Sequence, residues 1–383
     1  MILEPVDATD ARAVLRGLRG AVLGSGPAIA LGADTPGAPP LPVEVPAGTA
    51  VVVTTSGSTG YPKRVAISRS ALTVSALATA ARIGEGDWLL ALPPGYIAGV
   101  QVLSRALVAG REPAILAGSF RAQAFAAAAS AMASSVGGVR VPTYTSLVPA
   151  QLATLLDAED AGIRTGLSSF AAVLVGGQAL PPALADRAAA AGARIVRTYG
   201  SSETSGGCVY DGVPLDGIGM RIVDGEVQLS GPTLADGYLG DPRRTDDIFR
   251  RDADGTRWYR TGDAGQIADG LLRVTGRRDN VIVSGGVNVS LDRVEHIVRG
   301  VPGLERAVVV AAESARWGQV PVVVVAEDSV VDAEGLLHRA RQATEAEIGA
   351  AGRPARIDVV AEIPRLTSGK PDRRALLPRP PAG

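Results

Sequence analysis

The chain has 383 residues, 46% of them hydrophobic and 20% charged, with 38 basic residues against 39 acidic ones. This is the composition of a globular protein long enough for a large domain and a small one, and it lacks the basic surplus of a nucleic-acid-binding protein. Cys208 is the single cysteine, which excludes a disulfide framework and a cysteine-based metal cluster and indicates a reducing, cytoplasmic setting.

In the first half of the chain, short apolar runs alternate with amphipathic segments. Apolar runs of this length predict strands, and the amphipathic segments predict helices. Strands are predicted at 50–53, 88–92, 113–116, 138–141, 171–175 and 194–196, and helices at 10–18, 69–82, 100–109, 120–129, 146–156 and 182–191. This alternation predicts an α/β core with largely parallel strands.

After Tyr199 the pattern changes twice. Residues 207–275 are rich in Gly, Asp and short β-like runs, which predicts antiparallel structure appended to the core. Beyond about residue 276, apolar runs alternate with helical segments that begin at Leu291 and at 332, as in a small α+β domain of about 100 residues. We therefore predict a large α/β domain over 1–278 and a small α+β domain over 279–383.

Two further features narrow the class of protein. His296 and His338 are the two histidines, so a Ser-His-Asp hydrolase or a histidine-ligated zinc site is not expected. Residues 1–10 lack the apolar core of a signal peptide. No stretch reaches the roughly 20 uninterrupted apolar residues of a membrane span. We expect neither a membrane span nor a nucleic-acid partner.

The first motif with clear chemistry is the segment TTSGSTGYPK at 54–63, directly after a predicted strand. Its glycines let backbone N–H groups approach an anion closely, its hydroxyl side chains add donors, and Lys63 adds a positive charge. The segment therefore predicts a polyphosphate site. It is not a Walker loop, because no Gly-Lys-Ser/Thr closes it. The alternative is a polar turn between two strands.

This segment resembles the signature loop of the adenylate-forming superfamily, which contains acyl- and aryl-CoA ligases, peptide-synthetase adenylation domains and luciferases. Four later segments resemble other motifs of that superfamily in the same order: YGSSE at 199–203, WYRTGD at 258–263, GRRD at 276–279 and PRLTSGK at 364–370. The resemblance implies an enzyme that joins an acid to AMP at the expense of ATP and then passes the acyl group to a thiol such as CoA.

The superfamily resemblance assigns roles to individual residues. Two anions must meet during acyl-AMP formation, so cations, donors and Mg²⁺ are required. It implies that Lys370 and Glu203 are catalytic and that Glu203 contacts Mg²⁺, which prefers hard oxygen ligands. The implied ATP- and AMP-binding residues are Thr55, Ser56, Gly57, Ser58, Thr59, Gly60, Lys63, Gly177, Gln178, Tyr199, Gly200, Ser202, Asp263 and Arg277. Outside the motifs, Glu203 would be read as a solvated loop acid, Asp263 as a turn residue and Lys370 as an inert surface lysine.

The resemblance also implies that the small domain is mobile and rotates between adenylation and thiol transfer. Asp279 matches the hinge position of the superfamily. Gly285 and Gly286 match the segment that meets the pantetheine arm of CoA, where glycine allows close approach. The alternative for these two glycines is a plain hairpin turn.

Within the superfamily, residues 96–105 and 199–214 resemble the o-succinylbenzoate–CoA ligases of menaquinone biosynthesis, especially the short actinobacterial type. This resemblance implies that Arg105 faces a second carboxylate of the acid, a contact that suits arginine. The alternative is a helix residue that extends to solvent. The other implied acid-binding residues are Tyr96, Thr143, Ser205 and Gly206. Gly95-Tyr96 stands where many members carry an aromatic–histidine pair, so no role of that histidine carries over.

Three functions stay open from the residues alone. The chain could activate o-succinylbenzoate, activate another aromatic or fatty acid or load a carrier protein, or bind acyl-adenylates without catalysis. The intact motif residues Lys63, Glu203, Asp263 and Lys370 argue against the last of these. About 50 residues precede the phosphate segment, which is short for the superfamily and leaves open a homodimer that completes the pocket.

Overall fold

A computed structural model of the chain describes residues 1–56, 62–132, 135–158, 160–327, 332–366 and 369–377. The first part contains two large sheets with helices packed against them and one separate two-stranded sheet. Its strands are β1 (Leu3–Val6), β2 (Ala28–Leu31), β3 (Thr49–Ser56), β4 (Pro62–Ser68), β5 (Asp87–Leu90), β6 (Ala114–Ile115), β7 (Ser135–Val136), β8 (Val139–Arg140), β9 (Thr143–Leu147), β10 (Ala172–Val175), β11 (Ile195–Ser201), β12 (Gly206–Tyr210) and β13 (Val213–Pro214). Its helices are α1 (Ala11–Leu23), α2 (Arg69–Ile83), α3 (Ile97–Val108), α4 (Ala122–Ala131), α5 (Pro149–Asp157), α6 (Ala161–Ser168) and α7 (Pro182–Ala190).

The central sheet has the strand order β13-β12-β11-β10-β9-β5-β6. The strands from β11 to β6 are parallel, and β12 and β13 extend the sheet in antiparallel fashion. One face packs against α2 and α3, and the other against α4 to α7. A neighbouring sheet, β1-β2-β3-β4, joins the same core. The predicted α/β class is confirmed.

A second group of elements follows the central sheet in the chain. It comprises β14 (Gly219–Val223), β15 (Glu226–Ser230), β16 (Gly237–Tyr238), α8 (Pro242–Ile248), β17 (Phe249–Arg251), β18 (Arg257–Ala268) and β19 (Leu271–Arg277). All except β16 and α8 form one antiparallel sheet, as predicted for this region, and β16 pairs with β4.

The last group forms a separate α+β layer. It comprises β20 (Val281–Ser284), β21 (Val287–Ser290), α9 (Leu291–Val298), β22 (Val308–Ser314), β23 (Gly318–Ala326), α10 (Ala333–Ile348) and β24 (Ile357–Val360). Both helices pack on a sheet of order β21-β20-β23-β22, with β24 parallel to β23. The predicted boundary at residue 279 falls in the turn between β19 and β20 and stays a prediction.

One strand of the central sheet was predicted in the wrong place. The prediction put a strand at 138–141, but β8 there is short and pairs with β7 alone. The strand that completes the sheet is β9, with the polar sequence TYTSL. Its burial is compatible with that sequence because the Thr145 hydroxyl donates to the Leu89 carbonyl at 3.0 Å. A search for apolar runs cannot find such a strand.

Among the helices that the structure describes, none has the length and apolar character to cross a membrane.

Candidate active site

The candidate site lies at the carboxyl ends of β10 and β11, where the adjoining elements converge. Parallel sheets place ligands in the crevice at this edge. Gly177 follows β10, Tyr199 and Glu203 lie at the end of β11, and Lys63 reaches in from β4. These residues come from distant parts of the chain, so the fold assembles the site.

The centre of the site is a buried ion pair. Lys63 Nζ lies 2.5 Å from Glu203 Oε1, and the Glu203 side chain is only 4% exposed. Tyr238 donates its hydroxyl to the same carboxylate oxygen at 2.8 Å, and its ring centroid lies 4.8 Å from Lys63 Nζ. The predicted phosphate lysine and the predicted magnesium ligand therefore neutralise each other.

The charge state of Glu203 follows from these contacts. Burial raises the pKa of its carboxyl, but the Lys63 ammonium and hydrogen bonds from Lys63, Ser201 and Tyr238 outweigh burial and hold the pKa below its ordinary value. Glu203 is therefore an anion at neutral pH. Tyr238 was not predicted as a site residue, because an isolated Gly-Tyr pair carries no signal that it will meet a glutamate 35 residues away.

A second centre forms around Asp263 on β18. Tyr199 donates its hydroxyl to Asp263 Oδ2 at 2.6 Å, and Arg277 Nη1 donates to Asp263 Oδ1 at 3.0 Å. Burial raises the pKa of Asp263, while Tyr199 and Arg277 oppose that rise. The structure thus brings together a carboxylate, a phenol and a guanidinium that the sequence analysis assigned to nucleotide binding.

Glu226 supports this second centre and was missed by the sequence analysis. Its Oε1 accepts the Gly262 amide at 3.0 Å, and its Oε2 accepts from Arg260 Nε at 3.0 Å. Its side chain is 6% exposed. Glu226 therefore fixes the turn that presents Asp263. No motif residue adjoins it in sequence, so the pattern alone offered no reason to select it.

Lys370 lies against the same cleft. A Cβ built on Gly177 would lie 3.8 Å from Lys370 Cε, and one built on Gly369 would lie 3.4 Å from Val148 Cγ2. The residue is exposed to solvent on one side. Nearby protein nevertheless desolvates its ammonium and lowers its pKa. The negative charge of Asp263 opposes this lowering of the pKa, and the positive charge of Arg277 adds to it. The C-terminal segment thus delivers a cation between the two centres.

The predicted hinge residue and the two predicted CoA-contacting glycines lie in different segments of the structure. Asp279 forms two hydrogen bonds with Arg277, from Nε and Nη2, each at 3.0 Å. Gly285 and Gly286 form the turn between β20 and β21, with φ values of +57° and +81°. Successive positive φ values of this kind are the reason that glycine occupies such two-residue turns. The hairpin interpretation therefore accounts for both glycines, and their contact with CoA stays a prediction.

Arg105 lies on α3 and is buried. Its Nη2 donates to the Tyr210 hydroxyl at 3.1 Å, and its guanidinium carbon lies 4.9 Å from the Trp88 ring centroid. Its Nε is buried without a hydrogen-bond partner, and within the described ranges no carboxylate pairs with it. Burial lowers its pKa, and Tyr210 opposes that change. The alternative of a side chain that extends to solvent is wrong.

The polar face of α3 connects Arg105 to the Glu203 segment. Gln101, one helical turn before Arg105, donates to the Ser205 carbonyl at 2.5 Å, and a Cβ on Gly206 would lie 2.8 Å from Gln101 Cγ. Gln101 Oε1 is buried without a partner among the described residues. Ser205 itself has a φ of +54°, an uncommon conformation for serine, and its hydroxyl donates to the Thr233 carbonyl.

Thr143 does not join this group, and its predicted role in acid binding stays a prediction. Side chains alternate along a strand, so Thr143 and Tyr144 point to opposite faces of the sheet. Tyr144 stacks on Trp88, with ring centroids 5.2 Å apart, on the face that α3 covers. Thr143 therefore faces the other side, as Leu147 does, away from Arg105.

The remaining predicted residues fall into three groups. Tyr96 is the residue before α3 and is half-buried. Thr55 and Ser56 end β3, Gln178 follows Gly177, and Gly200 and Ser202 border Glu203, so all five lie near the cleft. The predicted phosphate residues Gly57, Ser58, Thr59 and Gly60 lie outside the described residues, as do Thr367 and Ser368 of the C-terminal motif.

The described residues suit a Mg²⁺ ion that binds together with a nucleotide, not one held by protein side chains alone. The described residues contain no group of three or more His, Cys, Asp or Glu side chains that could hold a metal ion. Glu203 supplies one buried, ionised carboxylate. Mg²⁺ is usually held by one or two carboxylates together with phosphate oxygens and water. Glu203 therefore fits a Mg²⁺ ion that arrives with a nucleotide.

Comparison with known proteins gives related solved structures. The o-succinylbenzoate CoA synthetase (MenE) of Bacillus subtilis in complex with AMP is 26% identical, with a TM-score of 0.71, over 86% of this chain and 69% of that one. An Escherichia coli MenE variant with bound OSB-AMS is 27% identical, with a TM-score of 0.67, over 83% of this chain and 67% of that one.

The sequence comparisons agree with this result. A probable 2-succinylbenzoate–CoA ligase of Mycobacterium tuberculosis is 40% identical over 338 residues, which cover 86% of this chain and 84% of that protein. The profile of the AMP-binding enzyme family matches residues 25–239, and that of its C-terminal domain matches residues 293–370. The chain therefore belongs to the AMP-binding enzyme family, as its resemblance to the adenylate-forming superfamily predicted.

Proposed function

We propose that the chain activates 2-succinylbenzoate with ATP and transfers the acyl group to CoA, giving the CoA thioester, AMP and pyrophosphate. The name of the mycobacterial relative and the titles of the two MenE structures support this substrate. The observation in this chain that carries the proposal is Arg105, which is buried and pairs with no carboxylate among the described residues. A buried charge without a partner is costly, and a carboxylate on the substrate would compensate it.

The spacing of Gln101 and Arg105 along α3 suits a dicarboxylic acid. Gln101 links the Ser205 segment, next to Glu203, with Arg105 one helical turn further along α3. One turn of helix spans about 5.4 Å. One carboxylate would lie near Lys63 and Lys370, and the other would pair with Arg105 in the core. A monocarboxylic acid would leave Arg105 without compensation.

The proposed reaction has two steps. An oxygen of the substrate carboxylate attacks the α-phosphorus of ATP, the bond to the β-phosphate oxygen breaks, and pyrophosphate leaves. The thiol sulfur of CoA then attacks the acyl carbon, the bond to AMP breaks, and the thiol proton is released. Lys63 and Lys370 lower the repulsion between the anions in the first step, because positioned cations stabilise developing charge in a water-poor site.

Nucleotide binding would rearrange the central ion pair. Lys63 is the cation closest to Glu203, but a triphosphate carries more negative charge than one carboxylate. We infer that Lys63 moves to the phosphates and that Glu203 then contacts Mg²⁺, which screens the phosphate charge. Tyr199, Asp263 and Arg277 would hold the nucleoside, with Asp263 accepting from the ribose hydroxyls.

Pyrophosphate release tests the proposal directly. The protein would be incubated with ATP and Mg²⁺ and with 2-succinylbenzoate, benzoate or a medium-chain fatty acid, each with and without CoA. We expect release with 2-succinylbenzoate alone and its CoA thioester once CoA is present. Turnover of another acid only would retain the adenylation chemistry and reject this substrate, whereas transfer to a carrier protein but not to CoA would reject the acceptor.

Replacing Tyr238 by phenylalanine tests the central ion pair. The variant keeps the ring beside Lys63 but removes the hydroxyl that donates to Glu203, a bond to a charged group that contributes about 1.5–3 kcal/mol. We expect kcat/KM for Mg²⁺-ATP to fall by about tenfold or more, measured at saturating acid. Tyr259→Phe is the matched control, since that hydroxyl lies 3.4 Å from Ser201 Oγ. An equal loss in both variants would contradict a specific role of Tyr238.

A further inference from the structure

The segment that carries Lys370 is fastened to α9 by one arginine. Arg373 Nη2 donates to Glu295 Oε2 at 2.7 Å and lies 3.7 Å from Asp292 Oδ1. The Glu295 side chain is 8% exposed, and its Oε2 also accepts the Val309 amide at 2.9 Å. Its Oε1 pairs with Arg299 at 2.9 Å. Arg373 is therefore attached to a carboxylate that other groups already hold in place.

Lys370 lies in a closed turn just before this attachment. The Lys370 carbonyl accepts the Leu366 amide at 2.8 Å, and the Asp372 amide donates to the Pro364 carbonyl at 2.8 Å. These two bonds close the base of the turn, and Arg373 follows it directly. A shift of Arg373 would therefore displace Lys370, which lies three residues before it.

Asp292 connects the same attachment to the hinge. Its Oδ2 accepts the Arg277 amide at 2.6 Å, and its Oδ1 accepts from Asn280 Nδ2 at 2.7 Å. These two residues flank Asp279. Since Asp292 also faces Arg373, one carboxylate lies between the hinge segment and the lysine segment. The position of Lys370 thus depends on α9 as well as on its own turn.

We propose that Arg373, held by Glu295 and Asp292, is a positioning residue that keeps Lys370 in the cleft during acyl-adenylate formation. The inference rests on the proposed adenylation function. An exposed ion pair contributes little, but Glu295 is buried and bonded to three groups, so its bond to Arg373 can fix a position. A displacement of about 1 Å in a reacting group can cost about 10²-fold in rate.

The test separates the two halves of the reaction. Arg373→Ala is expected to slow ATP–pyrophosphate exchange with 2-succinylbenzoate by about 10- to 100-fold. Thioester formation from preformed acyl-adenylate and CoA is expected to change by less than about threefold, because that step does not need Lys370 at the phosphate. Arg373→Lys should recover part of the exchange rate. Arg353→Ala is the matched control, because it removes an exposed ion pair in which Arg353 Nη1 lies 3.4 Å from Glu345 Oε2.

A double-mutant cycle shows whether Arg373 acts through Lys370. If it does, Arg373→Ala added to Lys370→Ala should slow exchange little further, since residues that act as a unit are not additive. The proposal would be overturned if the rate losses of the two single variants multiplied in the double variant. It would also be overturned if Arg373→Ala slowed both half-reactions equally and lowered the Tm. If the wild-type enzyme exchanges with another acid instead of 2-succinylbenzoate, the same comparison is made with that acid. Failure of the substrate assignment is thus distinguished from failure of the proposed role of Arg373.

Discussion

Lys370→Ala is expected to slow acyl-adenylate formation by about 10²–10³-fold, the effect of losing one positioned charge stabiliser. Lys370 enters the cleft beside Gly177. Tyr199 donates to Asp263 without help from Lys370, so we expect the nucleotide contacts proposed for these two residues to survive the change. The measurement is ATP–pyrophosphate exchange, together with the Kd for ATP, which should change little.

The second half-reaction serves as the internal control for this variant. Preformed acyl-adenylate and CoA should give thioester at nearly the wild-type rate, because the pyrophosphate has already left. A parallel loss in both steps would show that Lys370 supports the fold of the cleft or the thiol transfer. Loss of ATP affinity alone would show that it only binds the nucleotide.

The pH dependence of exchange should report the same lysine. Desolvation by the surrounding protein lowers the pKa of Lys370, so its ammonium form is lost at a lower pH than that of an ordinary lysine. Exchange should therefore decline on the alkaline side at a midpoint below the ordinary lysine pKa of about 10.4. The residual exchange of Lys370→Ala should lack this decline. If the variant declines in the same way, another group is responsible.

Much of the fold and the site follows from local patterns in the sequence. The helices over 69–82 and 182–191 and the strand at 171–175 were predicted within a few residues, because each buries a regular apolar face. Lys63 and Glu203 meet in the structure, and Asp263 meets Tyr199 and Arg277, while the roles that the resemblance implies for them stay predictions.

The rest could not be predicted, because it depends on contacts between distant segments. β9 is buried with four hydroxyl residues, which no apolar pattern marks. The Lys63–Glu203 pair joins positions 140 residues apart, and the interaction of Tyr238 with that pair exists only after β16 adds to β4.

Arg105→Met is expected to remove the preference for a second carboxylate. The change keeps much of the side-chain volume on Trp88 but removes the charge. Truncating one partner of a buried charge pair costs about 2–5 kcal/mol, which corresponds to roughly 30-fold or more in kcat/KM for 2-succinylbenzoate. The comparison substrate is 4-oxo-4-phenylbutanoate, which lacks the ring carboxylate and should lose little. Equal losses with both acids would show that Arg105 does not recognise that group.

Arg105→Met should raise the stability of the ligand-free protein, although it lowers activity with 2-succinylbenzoate. Without substrate, Arg105 is a buried charge that pairs with no carboxylate in the described part of the chain, so a neutral side chain removes a desolvation cost. We expect a higher Tm for Arg105→Met in thermal unfolding without ligands. Arg111→Met is the control, because that half-buried guanidinium already pairs with Asp87 at 2.9 Å and should alter neither selectivity nor, to any large extent, Tm. A site that lowers stability in order to bind a charged substrate predicts both results together, whereas a purely structural arginine predicts a lower Tm with unchanged selectivity.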